Sequence, residues 1–527
     1  MRKLSLLLVL VLLLTSLVPA PVVAARRSSY EQTLFDRSQP IVINIMIEQE
    51  TWDNMIATAE DEVYCACDVE VNGTLYRNVA IRPKGNSSLS SVAGKGSERF
   101  SWRIKFDKYE KKQTCDGLDI LILNNGFKDP GQLREAIAYD MYAFLDADAS
   151  LYNYAIVSVN GEYFGCYLAL ECVDESFAER VYGEDYGELY KPEIIGLNDN
   201  NEGEEAADND ATDRPAAGNE DDGSSFGGSS GDSATAAPDA NTERPAAGNE
   251  DDGSSFGGSS GGRTQDTTTL AMALNYVGDD LDDYYGIWES SKFKSDEEDH
   301  AQVVEALKHI CQGEDIDEYL DVENVLKYLA IQTFIYNHDG LTGNVTHNYY
   351  LYEKGGELNL IPWDMNEAFT ISGDGSDYVN FPIDTPFTVS DLSERSFFMA
   401  LLANEKYLAC YHEYLRILCE EYVQGGAFDQ TMASIRAMID EAVMQDPTKF
   451  CTYEEYEAAA NSLIQAVSLR ARSVLGQIDG SIPSTREGQA AEPEKLLDTS
   501  DADFSGLGGG TGGGMPTMNF PGFGFGF

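Results

Sequence analysis

The sequence predicts an α+β fold, on three observations. Residues 39–191 carry short apolar-patterned runs punctuated by Asn-Gly turns, residues 270–479 carry mostly helical patterning, and the 198–266 stretch between them has almost no hydrophobic residues. With 527 residues, 43% of them hydrophobic and 11% aromatic, the chain can bury a sizeable, well-packed core.

In the first region, strands are expected at 42–46, 67–71, 75–82 and 100–106. Asn72-Gly73 joins the second to the third, because both residues accept the positive φ of a two-residue hairpin turn. Asp129-Pro130 offers a cap and a first-turn proline for a helix over 132–145, with Leu133, Ile137, Met141 and Phe144 on one face. Asn160-Gly161 then links a strand at 154–159 to another at 163–170.

The middle stretch is built from Gly, Ser, Asp, Glu and Ala, and the sequence of 214–231 recurs unchanged at 244–261. Between Lys191 and Lys292 the only basic residues are Arg214, Arg244 and Arg263, so charge repulsion and missing apolar side chains predict a long disordered insertion. Two copies without hydrophobic residues cannot stack as a solenoid. The Gly-rich end, closing on alternating Gly and Phe, reads as a flexible tail.

At the other end, Met1, Arg2 and Lys3 precede an apolar run at 4–18 and the small residues Val22 to Ala25, the three parts of a secretory leader. Cleavage near Ala24 or Ala25 predicts export, and no other stretch is apolar enough to span a membrane. A net charge of -54 excludes nucleic acid as a partner and favours cationic ones, Lys/Arg-rich peptides included. Nine cysteines are too sparse for a disulfide scaffold, and Cys166 and Cys172 lie in a hydrophobic run as expected for buried thiols. Cys65 and Cys67 lack the spacing and the partner pair of a zinc site.

The chemistry lies in the second patterned region. A helix at 322–336 runs into the polar loop Asn337, His338, Asp339 to Asn344; then come a strand over 349–352, a turn at Lys354-Gly355-Gly356, a strand at 358–361 and Pro362-Trp363-Asp364. Helix, polar loop, hairpin and terminal Asp is the order found in a kinase, and the sheet with one helix in the first region matches the plan of a kinase small lobe. Phosphoryl transfer needs phosphates held by a divalent metal, Mg2+ or Mn2+, and a carboxylate aimed at the attacking hydroxyl. Asp339 is the candidate for the hydroxyl and Asp364 for the metal. The Asn ligand is either Asn344, at kinase-loop spacing from Asp339, or Asn348, which directly precedes a strand; Asn348 is preferred.

Upstream, Lys84, Gly85, Asn86 and Ser87 form a turn able to approach ATP phosphates through its backbone. Arg103 and Lys105 share a strand face, and Lys105 is the first candidate for the α/β-phosphate contact, with Lys84 second. Glu135 can pair with that lysine from the helix, with Arg134 as a competing partner. Glu171 stands where a hinge would offer backbone groups to adenine. No GxSxG, HExxH or GxxxxGK[ST] occurs, so hydrolase, zincin and P-loop chemistry lack support.

The segments at 81–88, 101–106, 124–142, 159–174, 188–192, 347–352 and 361–369 (IPWDMNEAF) together resemble the successive blocks of the CotH kinase-like family of secreted atypical kinases. The resemblance implies a two-lobed kinase-like fold, ATP as phosphoryl donor, and phosphorylation of Ser/Thr on an exported or spore-coat protein, its targets including basic Ser-rich tails. It places the small lobe, hinge and start of the large lobe at 30–197, the large lobe at 267–480 and a tail at 481–527, after a leader at 1–25. The sequence departs from the family in having Asn366 where a second acid is frequent and His338 where Trp is common. The rival expectation is therefore a catalytically weak member acting as a coat or cell-surface structural or adhesion protein.

Overall fold

A computed structural model of the chain describes residues 29–85, 87–193, 264–343 and 345–508. The expected leader, nearly all of the 198–266 insertion, Asn86, Asn344 and residues 509–527 lie outside the described residues.

Seven strands form a closed barrel: β1 (Ile41–Met46), β2 (Cys65–Val71), β3 (Thr74–Lys84), β4 (Ser101–Lys105), β5 (Ile120–Asn124), β6 (Tyr152–Val159) and β7 (Glu162–Glu171). Their order is β1-β2-β3-β4-β5-β7-β6, and β6 returns beside β1 in parallel, with Ile43 opposite Val157. Because successive side chains alternate across a strand, Ile43 and Ile45, Val69 and Val71, Trp102 and Ile104, and Leu121 and Leu123 fill the barrel. Both predicted Asn-Gly turns are present: Asn72 and Gly73 have φ 49° and 82°, Asn160 and Gly161 51° and 86°.

The sequence reading missed β5. Ile120 to Leu123 are all apolar because both faces are covered: Leu121 and Leu123 point into the barrel, while Ile120 and Ile122 join the second, larger core. A strand buried on both sides shows no alternation. Helix α1 (Gln49–Ala57) was also missed; its Trp52 packs 5.0 Å from Trp102 in the barrel core. A third miss is α2 (Ser87–Gly94), which begins where only a turn was expected.

Helix α3 spans Arg134–Phe144, two residues later than expected at its start. Asp129 does serve it, but across a loop: its carboxylate accepts from the Arg134 amide at 2.8 Å. The one-face expectation is corrected too, since Arg134 through Tyr142 are all buried and Phe144 is exposed. After α4 (Glu175–Tyr182), a three-stranded sheet forms from β8 (Glu188–Tyr190), β9 (Tyr349–Lys354) and β10 (Glu357–Pro362), with β9 central. Gly355 and Gly356 make its hairpin turn at φ 63° and 89°. The rest is helical, notably α5 (Glu297–Gln312), α6 (Val322–Ile335), α7 (Ser396–Ala403), α8 (Glu405–Ile417), α9 (Ala427–Gln445) and α10 (Tyr453–Ile478).

The expected free tail at 481–527 is corrected up to residue 508. Ile482, Phe504 and Leu507 are buried, the Leu497 amide donates to Asn380 Oδ1 at 2.9 Å, and Gly508 bridges to Ile371. Glycine content suggested a tail, but these spaced apolar side chains anchor the segment. All nine cysteines are free thiols, and Cys166 and Cys172 are buried as expected. Among the described residues no helix is long and apolar enough to cross a membrane.

Candidate active site

Helix α6 ends where Tyr336 turns left-handed, at φ 55°, and the chain leaves the core into the polar loop. His338 packs 3.8 Å from the Tyr336 ring, and burial lowers its pKa, favouring the neutral imidazole. The Asp339 carboxylate is then held at both oxygens. His347 Nε2 lies 3.0 Å from Oδ1, and Asn348 Nδ2 donates to Oδ2 at 2.9 Å. Burial opposes the Asp339 charge, but those hydrogen bonds, with the His347 and Lys128 charges, hold its pKa below the usual carboxylate value.

Asn348 also donates to the Asp339 carbonyl at 3.1 Å, and its own carbonyl accepts from Trp363 N at 3.2 Å. That bond sets the end of β10 beside the loop. Asn348 and Asp364 both adopt positive φ, 59° and 51°, which Asn and Asp tolerate better than other side chains. Asp364 is pushed the other way from Asp339: burial raises its pKa, and Asp339 repels a second negative charge while Lys84 counters.

The opposite wall comes from the barrel and α3. Lys84 Nζ stands 3.5 Å from Asn124 Oδ1 and 5.5 Å above the Trp363 ring. Asn124 Nδ2 in turn donates to both Glu135 oxygens, at 3.0 and 2.9 Å. Lysine and helix carboxylate are thus bridged by an amide. Burial, then repulsion from Asp364, pushes the Glu135 carboxyl up to about 8. Gly85, at φ 127°, donates its amide to Glu62 Oε1 at 3.1 Å, and any Cβ there would meet Ser88 Oγ at 2.7 Å.

These groups surround a cavity of about 500 Å³. Of the expected site residues, Asp339, Asn348, Asp364, Lys84, Gly85, Ser87 and Glu135 line it. Asn86 and Asn344 fall outside the described residues.

Lys105 does not line the cavity, and the order of the two lysine candidates is corrected. In the β3/β4 register Lys84 faces Ser101, a lining residue, whereas Lys105 faces Ala80, four residues or about 13 Å farther along the strand. Lys105 instead lies 3.9 Å from Asp107. Glu171 is also corrected. It is fully buried, accepts from Arg180 Nη2 at 2.6 Å and Tyr30 Oη at 2.7 Å, and its backbone amide is spent on the Leu151 carbonyl. The stretch beside the cavity is Lys191, Pro192 and Glu193, which follow β8.

Sequence reasoning also missed Asn124, Lys128, Lys191 and Lys292, which line the cavity. Asn124 and Lys128 had a signal, since they sit in the polar run just before α3. Lys191 and Lys292 had none, because only the fold brings the two flanks of the insertion to one cavity. Lys128 pairs with Glu367 and its charge reaches both Asp339 and Asp364. Among the described residues the lining holds six basic and six acidic residues, in a chain with 36 basic and 90 acidic. The cavity is therefore enriched in positive charge against an acidic background, which suits an anionic ligand.

Among the described residues no group of three or more His, Cys, Asp or Glu is arranged to hold a metal. The oxygen donors here are mixed, from Asp364, Asn348 and Asn366. Asn366 Oδ1 is buried without a hydrogen-bond partner, as an unused ligand atom would be. Hard divalent cations accept such all-oxygen sets with few protein carboxylates when phosphates and water supply the rest.

The Inner spore coat protein H of Bacillus subtilis (strain 168) is 26% identical over 307 residues, which are 56% of this chain and 63% of that protein. The chain thus spans less than two thirds of that curated relative. The sequence model of the CotH kinase protein family matches residues 81–228 and 237–474, running through Lys84, Glu135, Asp339 and Asp364. Since that match takes in well over half of the chain and both walls of the cavity, the chain belongs to the CotH kinase protein family.

Proposed function

We propose that the chain is an exported, spore-coat-associated atypical kinase that transfers the γ-phosphoryl group of ATP to Ser or Thr of a protein substrate. One observation carries the reading: Asp339, held ionised by hydrogen bonds from His347 and Asn348, and Asp364 share a cavity with a lysine-bearing wall. The family name and the spore-coat relative support it. In this reading the barrel acts as the small lobe and the helical half as the large lobe, and the first 25 residues are a cleaved leader.

Asp364, Asn348 and Asn366 would hold Mg2+ or Mn2+, which when bound neutralises phosphate charge. Lys84 steadies the α/β-phosphates, and the backbone at Gly85, just before α2, can approach them closely because residue 85 has no Cβ. Asp339 orients the substrate hydroxyl and accepts its proton. His347 and Asn348 fix the rotamer of Asp339, which reduces the reorganisation needed at the moment of transfer.

A second reading, a coat structural protein with weak catalysis, draws on Asn366 in place of an acid. The two are separated by titrating Mn-ATP and measuring transfer to a basic Ser peptide. The kinase reading expects binding that disappears in Asp364→Ala with the melting temperature preserved. Unchanged Mn-ATP affinity in that variant sinks the metal role, and binding without any transfer favours the structural reading.

A further inference from the structure

The last described residues are wired to the cavity through one buried side chain. Arg134 is 1% exposed and sits between three partners. Its Nη2 donates to the Leu507 carbonyl at 2.6 Å, its Nη1 to Thr370 Oγ1 at 3.4 Å, and its Nε lies 3.9 Å from Asp129 Oδ1. Asp129 lines the cavity. Thr370 donates to the Glu367 carbonyl at 2.7 Å, and Glu367 pairs with the cavity residue Lys128. The carbonyl of Leu507 therefore completes a junction between the two loops, 126–132 and 365–371, that carry Lys128 and Asp129 on one side and Asn366 and Glu367 on the other.

The segment that offers this carbonyl is seated closely. Leu507 and Phe504 are buried, Gly508 bridges to Ile371, and Gly506 lies so near α10 that a Cβ would meet the Ala459 backbone at 2.5 Å. Arg134 Nε is already buried without a hydrogen-bond partner, so losing the Leu507 carbonyl would leave a second costly orphan on the same guanidinium.

We infer that residues 499–508 are a C-terminal strap that sets the geometry of the phosphate and metal side of the cavity, with Arg134 as its positioning residue. The inference deepens the kinase reading and rests on it for the ligand, but the strap's effect on the two loops does not. Its engagement is a built-in control: whatever lifts the strap from α10 loosens the site while leaving the barrel intact.

The test compares the full chain, a chain ending at Gly508, a chain ending at Asp498, and Gly506→Val in the full chain, the last guarding against misfolding of the truncation. Hydrogen exchange is read at the amides of Gln132, Arg134, Ala368 and Phe369, all hydrogen-bonded in the native fold. Mn-ATP dissociation constants are measured alongside. Ending at Gly508 should change nothing. Ending at Asp498 and Gly506→Val should each raise exchange at those four amides, leave β1–β4 unchanged, and weaken Mn-ATP binding by about tenfold, the size of one charged hydrogen bond. Exchange changes confined to α10 and the strap, or spread evenly over the barrel, overturn the inference. If the full chain binds no Mn-ATP the kinase reading fails, and the exchange data alone decide the strap.

Discussion

Two aspartates of one type are given opposite characters by their surroundings. Asp339 accepts from His347 and Asn348 and stays ionised, while the half-buried Asp364 sits near a second carboxylate, Glu135, with Lys84 as counter-charge. In the proposed kinase, these opposite environments would divide the labour of one active site between two carboxylates. Asp339→Asn should therefore keep Mn-ATP affinity but cut turnover by about 10²- to 10⁴-fold, the usual contribution of a positioned base. Single-turnover kinetics with saturating ATP would check this, and equal turnover would reassign Asp339 to scaffolding. Both aspartates were legible in the sequence because loop order around a hairpin constrains them. The choice between Lys84 and Lys105 was not, since it depends on the β3/β4 register, which pairs residues far apart in the chain. Glu171 misled for a related reason: a strand end looks free to offer backbone groups until its amide is seen bonded to the distant Leu151 carbonyl.

At the scale of elements, the barrel and the helical half are joined by a buried ion pair. Arg99 Nη1 lies 2.7 Å from Asp446 Oδ2, both side chains having no exposure, and Asp446 also accepts from the Cys166 amide in β7 at 2.9 Å. Arg99 Nε donates to the Asn125 carbonyl at 2.9 Å, just before the loop carrying Lys128. Asp446→Ala strands a buried guanidinium, so urea unfolding should show a loss of about 3–5 kcal/mol. A loss below about 1 kcal/mol would mean that water or a neighbour replaces the carboxylate. This joint was invisible in the sequence, where the pair is separated by 347 positions. The hairpins, by contrast, were legible because Asn-Gly turns act locally. The closure of the sheet was not, because Ile120 to Leu123 of β5 show no alternation and the β1/β6 pairing is long-range.

At the scale of the whole molecule, charge acts at two ranges. The chain carries -54 overall, yet among the described residues the cavity lining balances six basic against six acidic ones. The near field suits an anionic group; if the proposed kinase reading holds, bound phosphates would neutralise these local cations and an approaching peptide would meet the far field. That field is negative, so it raises the encounter rate of cationic peptides and slows acidic ones. Matched Ser peptides flanked by Lys/Arg or by Asp/Glu should therefore differ in kcat/KM, with the basic one preferred. The preference should shrink as the screening length falls from about 30 Å at 0.01 M salt to about 8 Å at 0.15 M. Because steering changes encounter and not chemistry, the difference belongs in kcat/KM, with kcat at saturation nearly equal for the two peptides. If the acidic peptide is used as well or better at low salt, steering by net charge is wrong, and the lysines at the cavity rim, Lys191 and Lys292, become the determinants to mutate next.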